Sequence, residues 1–198
     1  MAGVSILVQV PELHQLSIAE YHRLVGCGAF DEDTRVELID GLVVDMSPKT
    51  PQHENAVRWL IDWLVDHLDR SRNQLMVSAP LTIGTSEPEP DLAIIKRAQP
   101  TLEHPTRALL VIEVAVTSSD RDLRTKPAVY AQAAEEYWVV DLERQCLVVH
   151  RDRTKGGYDA ITTVPAGEVL HAQSVELGPL PTGDLFTAAL AKTGQSLS

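Results

Sequence analysis

The stretch Ala108-Leu109-Leu110-Val111-Ile112-Glu113-Val114-Ala115-Val116 constrains the chain more than any other. It is a continuous apolar run without alternation, the pattern of a strand covered on both faces. Glu113 breaks the run with a carboxylate where its neighbours require hydrocarbon. A buried carboxylate is costly unless it is protonated, paired or bound to a metal. Upstream, Glu89-Pro90-Asp91-Leu92-Ala93-Ile94-Ile95 repeats the theme as a second apolar strand that opens on an acid. Two acids on two apolar strands, followed by a basic segment ending in Lys126, point to a divalent-metal site built on a sheet.

The rest of the chain supplies the frame. Ser17 with Glu20 forms a capping-box pattern for a short helix that Gly26-Cys27-Gly28 ends. Thr34 to Met46 reads as a hairpin, because Asp40-Gly41 is the pair that a type I′ turn prefers. Thr50 caps, and Pro51 opens, a helix expected over Thr50–Arg70. Its stripe is Val57, Leu60, Ile61, Leu64, Val65 and Leu68, with Trp59 and Trp63 at the border. His53, in its first turn, reads as solvent-facing or as part of the cap. Strands are expected near Leu75–Val77 and Leu81–Ile83. Glu87-Pro88-Glu89-Pro90 is then a stiff connection into the Asp91 strand. Alanine-rich Ala128–Glu135 reads as helix, and Tyr137–Asp141 as a buried strand. Cys146–Arg151 and Tyr158–Val164 read as antiparallel strands joined by Lys155-Gly156-Gly157. A short hairpin near Val169 and Val175 and a helix from Asp184 complete the pattern. This order predicts an α/β domain with a mixed sheet.

Composition narrows the function. A chain of 198 residues, 44% of them hydrophobic, fits one domain. Its expected parts are an N-terminal arm or edge strand over 1–16, a main domain over 17–192 and a tail over 193–198. Two distant cysteines, Cys27 and Cys146, form neither a disulfide framework nor a zinc knuckle. With no basic region ahead of an apolar core and no run near ~20 apolar residues, a cytoplasmic protein without membrane contact is expected. There is no G-x-S-x-G elbow and no P-loop, and the seven histidines show no H-E-x-x-H spacing. What remains is oxygen-rich, namely Glu37, Asp91 and Glu113. Carboxylates suit a hard cation such as Mg²⁺, and a cation relieves the repulsion between two converging acids. On that ground, neutralising either acid is expected to leave the metal-free fold intact or slightly more stable.

The order P-D, then an acid on the next strand, then a lysine resembles the PD-(D/E)XK nuclease superfamily. More narrowly, the chain resembles the Uma-two restriction endonuclease family from about Ser17 to Phe186. The resemblance is carried by Val36-Glu37-Leu38-Ile39-Asp40-Gly41, Ser47-Pro48 with His53, and Glu89-Pro90-Asp91. It continues through Ile112-Glu113-Val114, Asp122-Leu123 with Lys126, and Glu136-Tyr137-Trp138-Val139-Val140-Asp141, and Leu180 and Asp184-Leu185-Phe186 also match. Two departures stand out. Ala115 occupies the superfamily's lysine position, so the lysine falls to Lys126 on the following helix. Pro127 directly after it is expected to push Lys126 out of the α region.

The resemblance implies a restriction-endonuclease-like mixed sheet flanked by helices, with extra antiparallel strands. It implies a metal-dependent endonuclease acting on DNA. Mg²⁺ or Mn²⁺ would be held by Asp91, Glu113 and the Val114 carbonyl, with Glu37 acting through water or a second ion. Lys126 would position the attacking water. Duplex cutting further implies a homodimer, in which the strands over Cys146–Arg151 and Tyr158–Val164 and the Met1–Pro11 arm are candidate interface elements. The alternative is an inactive nuclease fold kept as a binding or dimerisation module, which the net charge of −11 favours over a DNA ligand. Each residue also has a structural reading. Glu113 could pair with Arg121 or Arg124, Asp91 could cap a turn, Glu37 could be an exposed hairpin residue, and Lys126 could be solvated.

Overall fold

The computed structural model describes residues 13–31, 34–47, 49–98, 102–117 and 124–191. The arm Met1–Pro11, the tail 193–198, Pro48, Arg121 and the Asp122-Leu123 pair lie outside the described residues. Helix α1 (Ile18–Gly26) starts at Ser17, whose side chain accepts from the Glu20 amide while Glu20 bonds back to the Ser17 amide. Strands β1 (Val36–Ile39) and β2 (Leu42–Asp45) pair antiparallel around Asp40-Gly41. Both turn residues have positive φ, 47° and 74°, as a type I′ turn requires. A Cβ on Gly41 would stand 2.7 Å from Gln15 Cβ, so glycine also lets the preceding segment pass close by.

The main sheet has six strands in the order β3-β4-β5-β6-β7-β8. They are β3 (Asn73–Val77), β4 (Leu92–Lys96), β5 (Ala108–Ala115), β6 (Ala134–Asp141), β7 (Cys146–Arg153) and β8 (Tyr158–Pro165). All neighbours pair antiparallel except β5 and β6, which run parallel. A parallel pair needs a crossover, and α3 (Lys126–Tyr130) lies in it. One sheet face packs on α2 (Pro51–His67) and on α4 (Thr182–Ala189), which follows the small ladder of β9 (Val169–Leu170) with β10 (Leu180–Pro181). That core holds Leu60, Leu64, Leu110, Ile112, Trp138 and Phe186. The other face packs Val111, Ala115, Tyr137 and Val139 against Val129 and Tyr130 of α3. Strand β5 is thus covered on both faces, as its uninterrupted apolar run predicts.

Several local expectations are corrected. The segment Leu81–Ile83 forms only an isolated bridge, Ile83 to Ser86, and no strand. Val175 is buried outside any strand, and the partner of Val169 is Pro181. Helix α2 ends at His67, and its buried face is Ala56, Leu60, Trp63 and Leu64, while Val65 is exposed. The largest change falls on Ala128–Glu135. Helix ends at Tyr130, and Ala134 already pairs with Ala108 in the parallel ladder. Burial of that strand overrides alanine's preference for helix.

His150 on β7 is 2% exposed and lies beside the rings of Tyr137 and Tyr158, which also stack on each other. Burial pushes its pKa below the ordinary value, against hydrogen bonds with the Tyr137 and Val148 backbones. A base whose folded pKa is depressed contributes stability above the unfolded value of about 6.5. That stability is lost as pH falls below this value toward the depressed one, by up to about 1.4 kcal/mol per pH unit. Urea midpoints should therefore fall more steeply between pH 7 and pH 5 in the parent than in His150→Phe. Parallel profiles for the two proteins would refute this.

Candidate active site

Register brings the two strand acids together. Leu92 stands opposite Ile112 in the antiparallel β4–β5 pair. One step further along the ladder, Asp91 falls opposite Glu113. Both have the odd parity of Val111 and Ala115, so they share the sheet face that α3 covers. The Asp91 amide donates to Glu113 Oε2 at 3.3 Å. The Val114 amide donates to Asp91 Oδ2 at 2.9 Å. Glu37 arrives from β1, held there by a bridge between Leu38 and Glu87, and its Oε2 accepts from the Glu89 amide at 3.4 Å. It is 2% exposed, which replaces the exposed-hairpin reading with a buried one.

Lys126 is the first residue of α3 and is 5% exposed. The expectation that Pro127 would expel it from the α region is overturned. Proline in a first helical turn forfeits an amide that has no intrahelical partner. A wide π-type turn at 124–125 leads in, and the Thr125 backbone is itself α-helical. Lys126 Nζ lies 2.9 Å from Glu113 Oε1 and 3.2 Å from Glu37 Oε1. Ion pairs of this length fix the lysine in place, which corrects the solvated reading. They give Glu113 a lysine partner, while Arg121, one of the two arginines the sequence suggested for it, lies outside the described residues.

Two residues join the site that sequence reasoning left out of it. His53 is buried, and its Nε2 is 3.0 Å from Asp91 Oδ2. Thr50 accepts from the His53 backbone amide, so the cap and the side-chain contact coexist. Tyr130 is fully buried and its hydroxyl donates to Glu113 Oε1 at 2.8 Å. Burial and the Glu113 charge push its pKa well above the ordinary value, so it stays a donor. The available signal was spacing. Residues 126 and 130 are one turn apart and share a helix face.

Burial pushes the Asp91 carboxyl up, but the His53 ring, the Val114 amide and the Lys126 charge outweigh it. Its pKa therefore lies below the ordinary value. All these groups except Tyr130 line one cleft of about 230 Å³, with Arg35 and Lys49 also on its wall. Three buried carboxylates there meet one buried ammonium. Among the described residues, no three ligand atoms of the cleft come within 4.8 Å of one another, and the ammonium bridges Glu37 and Glu113.

This mixed sheet flanked by helices is similar to that of a solved nuclease structure. The structure superposes with a TM-score of 0.69 on the crystal structure of "a putative nuclease belonging to DUF820" from Anabaena variabilis ATCC 29413, at 15% identity. The match covers 88% of this chain and 99% of that one. A second solved structure, the type IIG restriction endonuclease BpuSI, matches at a TM-score of 0.35 and 13% identity. That match covers 71% of this chain and 15% of BpuSI. No curated protein matches. The family model described as "Uma2: Putative restriction endonuclease" matches residues 18–179, and the chain belongs to that family. Among the described residues, no helix is long and apolar enough to cross a membrane.

Proposed function

We propose that the protein is a divalent-metal-dependent endonuclease that hydrolyses DNA phosphodiester bonds in the cleft around Asp91 and Glu113. The observation that carries this reading is the meeting of Glu37, Asp91, Glu113 and Lys126 in one buried cleft, from four separate segments. A fold has no packing reason to gather three carboxylates, since each is costly to bury. Restriction-endonuclease-like families generally use divalent metals, and the donors fit one. Hard carboxylate oxygens suit Mg²⁺ or Mn²⁺. His53 Nδ1, buried with no hydrogen-bond partner among the described residues, leaves capacity for a further polar ligand.

Asp91, Glu113 and the Val114 carbonyl would hold the ion, with Glu37 reaching it through water. When bound, the ion supplies positive charge to a phosphoryl oxygen. The chain's own residues do the rest. His53 and the Val114 amide fix the Asp91 carboxylate, and Tyr130 fixes Glu113. Lys126 orients the attacking water, or balances charge on the phosphate as the bond to the leaving sugar oxygen breaks. Arg35 and Lys49 offer positive charge on the cleft wall against the acidic whole.

Cutting both strands calls for two such clefts, hence a homodimer. Incubation with supercoiled plasmid, single-stranded and branched DNA under Mg²⁺ and under Mn²⁺ tests the reading, with Glu113→Ala as control. Metal-dependent cleavage is expected, and light scattering at micromolar concentration should give a mass near twice 21.7 kDa. A mass near 21.7 kDa removes the dimer. Absence of cleavage on every substrate, or cleavage unchanged in Glu113→Ala, removes the nuclease reading.

A second reading rests on the Lys126 ammonium, which already bridges Glu37 and Glu113. A cleft neutralised by its own lysine is the arrangement of a nuclease fold retained for binding.

A further inference from the structure

A separate cluster stands apart from the cleft. His22 on α1, Glu87 in the connection before β4 and His104 in the loop before β5 line none of the cleft wall. One ligand atom from each lies within 4.8 Å of the other two. We propose that His22, Glu87 and His104 form a second metal site, suited to Zn²⁺, that pins α1 to the loops leading into β4 and β5.

The donor chemistry selects the ion. Two imidazoles and one carboxylate are a borderline set that favours Zn²⁺ over the Mg²⁺ expected of an all-oxygen site. Tetrahedral zinc with bonds of about 2.1 Å holds its ligand atoms about 3.4 Å apart, inside the 4.8 Å that bounds the three atoms here. His22 Nε2 is 2.6 Å from Glu87 Oε1, and the His22 and His104 rings meet edge to face at 6.1 Å. Separations of 65 and 17 residues hide this triad from any reading by local spacing.

The carboxylate at its centre is built in. Glu87 is 5% exposed, and its amide donates to the Leu38 carbonyl at 2.7 Å. Thr82 Oγ1 donates to Glu87 Oε2 at 3.1 Å, the outer contact that orients a metal-binding carboxylate. The Thr82 amide also bonds to the Pro105 carbonyl at 2.9 Å, next to His104. One threonine therefore positions two of the three ligand segments. A buried carboxylate is costly unless it is protonated, paired or bound to a cation, and the two imidazoles beside this one are exposed enough for an ion to enter. A site here stiffens the four-residue path from Glu87 to Asp91.

The test uses the untagged full chain, stripped of metal and titrated with ZnCl₂ in excess Mg²⁺, which occupies the oxygen site of the cleft. One equivalent of Zn²⁺ is expected to bind. The thermal midpoint should rise with it. His22→Ala and His104→Ala, both changes at exposed positions, should each weaken binding at least tenfold and abolish the thermal shift. Substitution with Co²⁺ should give a visible spectrum that both variants lose. No Zn²⁺ uptake in excess Mg²⁺ overturns the site. So does undiminished affinity in either variant, because the ligand set would then be different. None of these outcomes depends on whether the cleft cuts DNA.

Discussion

Lys126→Ala is expected to lower unfolding stability by about 3–5 kcal/mol, the cost of removing one partner from a buried ion pair. The cost arises because Glu113 and Glu37 both lose the ammonium that lies within 3.2 Å of them. Urea unfolding measures it directly. If the cleft binds a cation, Mn²⁺ should restore part of the loss and should bind Lys126→Ala no more weakly than the parent. Turnover should still fall if Lys126 is the group that orients the water. A loss below about 1 kcal/mol, the range of an exposed pair, would show that the lysine is not held as the structure has it. A large loss that Mn²⁺ does not relieve would favour the inert, lysine-neutralised cleft.

Asp91→Asn should reduce cleavage on the order of 10²–10³-fold, as removal of a charge-stabilising group from a reacting centre does. It should also abolish calorimetric Mn²⁺ binding, since a neutral amide does not offset dehydration of a hard cation. Its effect on stability reverses what mutual repulsion alone suggests. His53 and the Val114 amide both stabilise the ionised Asp91, whose pKa is lowered in the fold. A carboxyl with a depressed folded pKa adds stability at neutral pH, and that stability is lost as pH falls through the folded value. The neutral variant should therefore be less stable at pH 7, by about 1–3 kcal/mol for charge-assisted hydrogen bonds. Glu113→Gln should lose more, because it also surrenders Lys126. A gain in stability in either variant would contradict the network.

The sequence was most informative where one residue violated a strong pattern. Glu113 announces itself because nothing else in its strand is polar, and Asp91 follows because register forces it opposite. His53 was harder to read. Its place in a capped first turn gave a complete local account, and only the approach of α2 to β4 shows the second role. Tyr130 was invisible for another reason. An aromatic next to an alanine-rich stretch reads as core, and it is core, with its hydroxyl alone reaching Glu113. Lys126 lies in the cleft beside the acids, and only the expected displacement by Pro127 failed, because the preference of a residue before proline is weak beside two buried ion pairs. Ala134 was misassigned because helix propensity is a weak prior against pairing in a buried sheet. Propensity and capping are local quantities, whereas these residues are placed by contacts across the chain.

The single parallel pairing among the described residues has a kinetic consequence. Asp91 and Glu113 meet by antiparallel pairing of β4 with β5, across 22 residues and without help from α3. Lys126 reaches them only when the crossover closes and β6 docks beside β5. Loop closure must precede the reward of a parallel contact, so such steps come late. Such an order predicts a stage in which two acids face each other before their ammonium arrives, to be sought as an early phase slowed at low ionic strength in stopped-flow refolding. The carboxylates of the cleft thus oppose its assembly until the short segment carrying Lys126 and Tyr130 docks on them.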